Sequence, residues 1–217
     1  MKKFTVFGLL TLLGVLGFSC INEQESFEAQ LDRDIEQLQQ FVDDNEIDVI
    51  RQFPPVDQPS GNGLRVLFTA LGTQMQRPGQ NPVLAELPEF GDTIAVEYVG
   101  RFVNGVAFDT SIEAIAREEG LFNPQRTYSP LEFRLGINRL IPGFEWGVEQ
   151  MRVGDKAFVL IPSIFGYGRS GQGSIPPNTP LVFEIEMVSL NGHRVPGNFD
   201  EEEEEEDEEE LEDEDDA

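Results

Sequence analysis

The sequence has very few of the residues on which most catalytic and metal sites depend. Its 217 residues include one cysteine and one histidine. A disulfide framework within the chain is therefore excluded, and a zinc site, which draws on several such residues, is not expected. A Ser–His or Cys–His mechanism would have to use His193, which follows Asn191-Gly192 in a stretch typical of a turn rather than of a rigid catalytic element.

Basic residues are also scarce. Lys and Arg number 15 against 41 Asp and Glu, the net charge is −26, and no basic cluster is longer than Lys2–Lys3. Nucleic acid is thus not an expected partner, because its binding relies on cations that neutralise phosphates. The acidity is concentrated at the end: from Asp200 to Asp216 every residue except Leu211 is acidic. Such a block repels itself, and we expect a disordered tail over 196–217. It either solvates the protein or loosely attracts basic segments of clients.

No hydrophobic run at the start of the chain is long enough for a standard membrane span. The uncharged run Phe4–Phe18 would cover roughly 22 Å as a helix, against about 30 Å of hydrocarbon. With Lys2–Lys3 before it, the run predicts a signal peptide over 1–19. Leu16-Gly17-Phe18-Ser19-Cys20 resembles a bacterial lipobox, although Phe18 replaces a small residue. We expect a lipid on Cys20 and an exported lipoprotein facing the periplasm or cell surface; the alternative is a plain signal peptide with an unmodified cysteine.

The segment 20–60 contains a predicted amphipathic helix from Phe27 to about Asp44, followed by a linker over Gln52–Gly63. Its apolar residues recur at spacings of three or four: Phe27, Leu31, Ile35, Leu38, Phe41 and Val42. The helix either dimerises or docks a partner, or it packs on the following domain or stands off the membrane. Its shortness favours the second interpretation.

The middle of the chain, 61–195, predicts a single β-rich domain, and the 17 Phe of the whole chain are enough for a sizeable core. Period-two alternation begins at Leu64, and Asn104-Gly105 is a typical hairpin turn. Pro142–Met151 indicates a short helix. Further strands are predicted over Thr93–Val103, Leu131–Leu135, Lys156–Pro162 and Leu181–Leu190. We expect an α+β fold, an antiparallel sheet of five to six strands curled around a short α-helix.

Three stretches of this domain resemble the FKBP-type peptidyl-prolyl cis-trans isomerases. They are VEYVGRFVNGVAFDTS (Val96–Ser111), FRLGINRLIPGFEWGVEQMRVGDKAFVLIPSIFGYG (Phe133–Gly168) and SIPPNTPLVFEIEMVSL (Ser174–Leu190). Their order and spacing match throughout, and the resemblance covers about 61–192.

The resemblance implies an enzyme that speeds rotation about Xaa-Pro bonds in unfolded or exported polypeptides. No covalent bond breaks in that reaction, so no nucleophile, metal or cofactor is needed. The alternative is a non-catalytic FKBP-fold chaperone or scaffold module of the cell envelope. The altered pocket residues described below keep that alternative open.

The resemblance also assigns a pocket. The catalytic set is Tyr98, Phe108, Asp109, Tyr167 and Phe183, and the substrate-binding set is Leu140, Ile141, Phe144 and Ile175. In these assignments Asp109 faces the bound carbonyl region, Tyr167 offers its hydroxyl to a substrate carbonyl, and the backbone N–H of Ile141 binds another. Without the resemblance, the apolar members would be interpreted as ordinary core residues.

Several positions depart from the family pattern. Phe144 replaces the tryptophan common at the pocket floor, Leu131 replaces an edge aromatic, Arg139 replaces an acid, and Gln172 lies near a position often held by histidine. The smaller floor and edge predict weakened binding of macrolide-type inhibitors.

The largest departure is an insertion over about 112–128. Ile112–Glu119 predicts a short helix ended by Gly120, placed beside the pocket rim. This insertion either selects protein substrates or shields a sheet edge; the sequence favours neither.

Overall fold

The computed structural model describes residues 26–196. The predicted signal peptide, the predicted lipidation at Cys20 and the predicted disordered tail from residue 197 onward lie outside the described residues. None of the helices within 26–196 is long and apolar enough to cross a membrane.

The predicted N-terminal helix is confirmed as α1, Phe27–Asn45. Ser26 precedes it with extended backbone angles, and its hydroxyl accepts a 3.2 Å hydrogen bond from the backbone N–H of Ala29, which caps the helix start. Leu38 and Phe41 are buried, whereas Phe27 remains 60% exposed. The central and C-terminal part of the predicted apolar face therefore makes the tertiary contacts.

Within residues 26–196, two shorter α-helices and ten strands follow α1. The helices are α2 (Glu113–Glu118) and α3 (Pro142–Val148). The strands are β1 (Arg51–Phe53), β2 (Arg65–Ala70), β3 (Gln74–Met75), β4 (Val83–Leu84), β5 (Thr93–Phe102), β6 (Ala107–Thr110), β7 (Leu131–Arg134), β8 (Lys156–Ile161), β9 (Leu181–Leu190) and β10 (His193–Arg194).

An antiparallel sheet of eight strands forms the body of the protein, in the order β1-β2-β8-β9-β5-β6, with β10 beside β9 and β7 beside β5. The sequence predicted five to six strands. The additional strands include β1, which lies partly in the predicted linker and pairs with β2, and β10, which contains His193. Both strands are too short to show an alternation of apolar and polar residues in the sequence. They are defined only by their pairing with a longer neighbouring strand.

The two faces of the sheet carry separate hydrophobic clusters. Val66 and Phe68 of β2 contribute to the cluster beneath α3, whereas Leu67 between them contributes to the cluster beneath α1. This division follows from the alternation of side chains along a strand. Leu38 and Phe41 of α1 complete the second cluster. The structure thus places α1 against the domain, as one of the two sequence interpretations expected.

Glycines allow α3 to lie unusually close to β8. A Cβ atom on Gly143 would stand 2.4 Å from Cγ2 of Ile161, and one on Gly147 would stand 2.4 Å from Cγ1 of Val159. Pro142 occupies the first turn of α3, where its missing N–H costs no hydrogen bond. This close approach fixes the side chains of α3 that face the pocket.

Candidate active site

A cavity of about 440 Å³ opens between α3 and the face of the sheet that α3 covers. All predicted pocket residues except Ile175 line it: Tyr98, Phe108, Asp109, Leu140, Ile141, Phe144, Tyr167 and Phe183. Residues from β5, β6, α3, β9 and the loop after β8 therefore converge at one cavity.

Aromatic rings meet edge to face at the bottom of the cavity. The ring centroid of Phe144 lies 6.1 Å from that of Tyr98 and 5.1 Å from that of Phe183, at interplanar angles of 84° and 82°. Phe108 meets Phe183 at 5.6 Å and 86°. Such geometry is favourable for aromatic pairs beyond the area they bury. Phe144 is 4% exposed and Phe183 5% exposed, so these rings are both core residues and pocket floor.

Gly100 on β5 makes room for these rings. A Cβ atom at this position would stand 2.6 Å from Cζ of Phe108 and 3.0 Å from Cε1 of Phe183. Any larger residue would push at least one ring from its place. The glycine is therefore required by packing rather than by an unusual backbone angle.

The polar wall of the cavity is formed by Tyr98 and Asp109, which face each other across β5 and β6. The hydroxyl of Tyr98 donates a 2.6 Å hydrogen bond to Oδ2 of Asp109, and Oδ1 of Asp109 accepts a 2.9 Å bond from the backbone N–H of Thr110. Burial raises the pKa of Tyr98 well above its ordinary value, and the hydrogen bond to Asp109 raises this pKa further. Tyr98 is thus a neutral hydrogen-bond donor at physiological pH.

Sequence reasoning missed Arg126, which comes from the insertion. Its guanidinium forms an ion pair with Oδ1 of Asp109 and donates a 3.3 Å hydrogen bond to the hydroxyl of Tyr98. The hydrogen bond to Asp109 raises the pKa of Arg126. The predicted position of the insertion beside the pocket rim indicated that one of its residues could reach the cavity. No local sequence pattern, however, distinguishes Arg126 from the other arginines.

A stack of side chains holds Arg126 in place. The guanidinium of Arg117 lies 3.5 Å from the ring centroid of Phe122, Phe122 stacks on Tyr128 at 5.7 Å and 15°, and the guanidinium of Arg126 lies 5.2 Å from the ring centroid of Tyr128. Each contact is of a favourable cation–π or aromatic type. Arg117 belongs to the predicted helix of the insertion, which is confirmed as α2, and Gly120 follows this helix at a φ of 72°.

The start of α3 lies at the mouth of the cavity. Ile141 caps the helix, and its carbonyl oxygen accepts hydrogen bonds from the backbone N–H groups of Phe144 and Glu145 at 3.0 and 3.3 Å. Leu140 and Ile141 are both partly buried against the core. The binding of a substrate carbonyl by the N–H of Ile141 stays a prediction.

Tyr167 follows a 3-10 turn, Ser163–Phe165, and lines the cavity. Burial raises its pKa, and the negative charge of Asp109 adds to this rise. Ile175 instead packs in the core with 7% exposure, and its backbone exchanges hydrogen bonds with that of Gln172, a cavity-lining residue. Ile175 thus supports the rim from below, and its direct contact with substrate stays a prediction.

The departures noted in the sequence gather at the cavity. Leu131, Arg139 and Gln172 all line it. Trp146 does not: its ring packs on Phe53 of β1, with centroids 5.8 Å apart, so it does not substitute for the missing tryptophan at the floor. Within residues 26–196, no group of three or more His, Cys, Asp or Glu side chains is placed to hold a metal ion.

Comparison with known proteins decides the family. A family model described as FKBP-type peptidyl-prolyl cis-trans isomerase matches residues 85–188. FK506-binding protein 1 of Saccharomyces cerevisiae is 33% identical over 108 residues, which is 49% of this chain and 83% of the yeast protein. The chain belongs to the FKBP-type isomerase family. This assignment confirms the predicted fold and the isomerase function of the domain.

The share of a relative's length that this chain matches differs widely among FKBP relatives. FK506-binding protein 4 of Dictyostelium discoideum is 39% identical over 103 residues, which is 47% of this chain but only 24% of that protein. A crystal structure of a peptidyl-prolyl cis-trans isomerase from Pseudomonas syringae superposes with a TM-score of 0.50 at 26% identity, covering 76% of this chain and 96% of that one. The chain thus spans a quarter of one curated relative and nearly all of the bacterial structure.

Proposed function

We propose that this FKBP is an exported, membrane-anchored isomerase that speeds rotation about Xaa-Pro bonds in unfolded or exported polypeptides. The observation that carries the proposal is the cavity floored by aromatic rings, with Tyr98 and Asp109 in its polar wall and Arg126 bound to both. In this arrangement the aromatic floor accommodates a short apolar side chain such as that of proline, and the polar groups at the rim bind a carbonyl group.

The chemistry follows from the nature of the amide bond. Rotation in water meets a barrier of about 18–20 kcal/mol because it breaks amide resonance. In the twisted transition state the nitrogen is more amine-like and the C–N dipole is weaker. A cavity lined by Phe108, Phe144 and Phe183 solvates that state better than the planar, strongly hydrated amide, which is differential binding of the transition state.

The polar groups orient the substrate in this scheme. The N–H of Ile141 and the hydroxyl of Tyr167 bind substrate carbonyls at the cavity. Tyr98 and Arg126 hold Asp109 at the wall, so that its carboxylate faces the twisting bond with a fixed direction. Fixed donors and acceptors need no reorganisation during the reaction.

The same cavity supports weak binding of macrolides such as FK506, after which the yeast and Dictyostelium relatives are named. Phe144 and Leu131 offer less aromatic surface at the floor and edge than the family pattern. We therefore propose that macrolides bind this chain less tightly than they bind relatives with a tryptophan floor.

Membrane anchoring is supported by the sequence alone, through Lys2–Lys3, the apolar run and Cys20 at the end of a lipobox-like stretch. Acyl chains on Cys20 would supply about 0.8 kcal/mol per buried CH₂. Metabolic labelling with palmitate in a bacterial host tests this. Label and membrane association that are lost in Cys20→Ser support a lipoprotein, and an unlabelled, released wild type argues for a plain signal peptide.

Catalysis of proline-limited refolding tests the activity. The protein at catalytic concentration should speed the slow refolding phase of a model protein, and Asp109→Leu, if folded, should lower this effect several-fold. The control Glu89→Gln changes an exposed carboxylate away from the cavity and should act like wild type. No acceleration by the wild type, with aggregation still suppressed, would favour a non-catalytic chaperone or scaffold instead.

A further inference from the structure

Helix α1 lies outside the region that matches the family, residues 85–188, yet it contacts the loop that carries Tyr167. The contact is made by Asp34, which is completely buried although it is charged. A carboxylate in such a place is costly unless hydrogen bonds replace the lost water. The hydrogen-bond partners of Asp34 therefore indicate its structural role.

Both oxygens of Asp34 have partners. Oδ2 accepts hydrogen bonds from the backbone N–H of Ser163 at 2.7 Å and from the hydroxyl of Ser163 at 2.6 Å. Oδ1 accepts a 2.7 Å bond from Nε2 of Gln30, one turn earlier on α1. Charge-assisted bonds of this kind are stronger than neutral ones. Ser163 is also completely buried, so the carboxylate is tied to one residue 129 positions away in sequence.

Ser163 begins the loop that contains Tyr167, and its backbone carbonyl is hydrogen-bonded within that loop. The carbonyl oxygen of Ser163 accepts hydrogen bonds from the backbone N–H groups of Gly166 at 3.0 Å and Gly168 at 2.8 Å, the residues on either side of Tyr167. The carbonyl oxygen of Gly168 in turn accepts a 2.7 Å bond from the N–H of Asn178. A shift of Ser163 would thus move both neighbours of the pocket tyrosine.

Gln30 reaches the far end of the same loop. Its Nε2 lies 3.4 Å from the carbonyl oxygen of Asn178, in addition to its bond with Asp34. Helix α1 therefore contacts the loop at its beginning, Ser163, and near its end, Asn178. No other residue of α1 combines full burial with a carboxylate.

We infer that Asp34 is a positioning residue for the isomerase site: through Ser163 it fixes the loop that places the hydroxyl of Tyr167 at the cavity. Helix α1 is then part of the catalytic unit rather than a spacer. The inference rests on the proposed use of Tyr167 by the isomerase. It assigns to Asp34 no contact with substrate.

The test compares variants of the full chain. Asp34→Ala removes all three hydrogen bonds, and Ser163→Ala removes only the hydroxyl bond and should stay folded. Small misplacements of a binding group are costly, so we expect kcat/KM on a chromogenic Xaa-Pro tetrapeptide to fall about tenfold in Asp34→Ala and less in Ser163→Ala. Asp34→Asn keeps an acceptor oxygen and should restore part of the activity.

Two matched controls separate positioning from simple loss of stability. Leu38→Ala weakens the docking of α1 one turn beyond Asp34 but removes no hydrogen bond to Ser163, and Asp32→Ala removes an exposed carboxylate from the same helix. Both should keep near wild-type kcat/KM at temperatures where every variant is folded. A loss in Leu38→Ala as large as that in Asp34→Ala would overturn the inference.

A structural readout keeps the test independent of activity. Amide hydrogen exchange at Gly168 and Asn178, and the NMR signals of the Tyr167 ring, should change in Asp34→Ala and Ser163→Ala but not in Asp32→Ala. Unchanged signals in both folded loop variants would overturn the inference. An inactive wild type would instead refute the isomerase proposal, while altered loop signals would still show that Asp34 positions Tyr167.

Discussion

The hydroxyl of Tyr98 donates a 2.6 Å hydrogen bond to Oδ2 of Asp109, which joins two neighbouring strands at the polar wall of a cavity floored by aromatic rings. The other carboxylate oxygen of Asp109, Oδ1, forms an ion pair with Arg126. Arg126 lies in the insertion that departs from the family pattern. The pocket of this FKBP thus combines residues that the family resemblance identifies with one that only the folded chain brings in.

The Tyr98–Asp109 pair predicts a distinct alkaline behaviour. Burial, helped by Asp109, raises the pKa of Tyr98 above the value near 10 that it has in the unfolded chain. The contribution of the protonated Tyr98 to the free energy of unfolding is therefore complete below about pH 10. It is lost as the pH rises through the pKa of Tyr98 in the folded protein.

We expect Tyr98→Phe to be less stable than wild type at neutral pH, by about 1 kcal/mol for the lost hydrogen bond. The two free energies of unfolding should converge above about pH 10. Urea unfolding at a series of pH values, followed by the fluorescence of Trp146, measures this. A stability difference that stays constant through the alkaline range would contradict the assigned direction of the pKa shift.

Arg126 should matter more for activity than for stability. Its side chain is 40% exposed, and ion pairs of this exposure contribute at most about 1 kcal/mol. Without it, however, Asp109 and Tyr98 lose a common partner. We expect Arg126→Ala to lower kcat/KM several-fold while the thermal midpoint changes little.

Lys156→Ala is the matched control for Arg126→Ala. It breaks another exposed ion pair, with Glu186 on the far side of the sheet, and should leave kcat/KM unchanged. Equal activities of the two variants would mean that Arg126 is only a surface residue.

The stack of Phe122 and Tyr128 should act through Arg126. We expect Tyr128→Ala to lower kcat/KM because the guanidinium of Arg126 loses its aromatic support. In a double-mutant cycle, adding Tyr128→Ala to Arg126→Ala should cause little further loss, since both changes remove the same arrangement. Fully additive losses would show that Tyr128 affects activity by another route.

Macrolide affinity tests the altered floor and edge. FK506 should bind the wild type weakly, and Phe144→Trp with Leu131→Phe should raise its affinity about tenfold by adding buried apolar surface. Some stability should be lost, because Phe144 is already packed against Tyr98 and Phe183.

Trp146→Phe is the control for the floor variant, since Trp146 packs on Phe53 away from the cavity. It should leave FK506 affinity unchanged, as measured by titration calorimetry. If the floor and edge replacements fail to strengthen binding while the fold is kept, the affinity is limited elsewhere on the rim, for instance at Arg139.

Long strands could be predicted well from the sequence. Strand β9 has the predicted bounds, Leu181–Leu190, because ten alternating residues carry a clear period. The pocket residues could be named because they recur in the order and spacing of a known family. Short β1 could not be predicted, because three residues show no period and its partner strand decides whether it forms.

The sequence by itself determined the family, the main strands, the short helices and nearly all the residues that line the cavity, since these depend on local pattern or on recognisable motifs. Only the tertiary structure decided that Arg126 reaches Asp109 and that Asp34 reaches Ser163. The physical reason is distance along the chain. A charged side chain in a helix or loop looks solvent-exposed in the sequence, and its partner becomes known only when the sheet brings remote segments together.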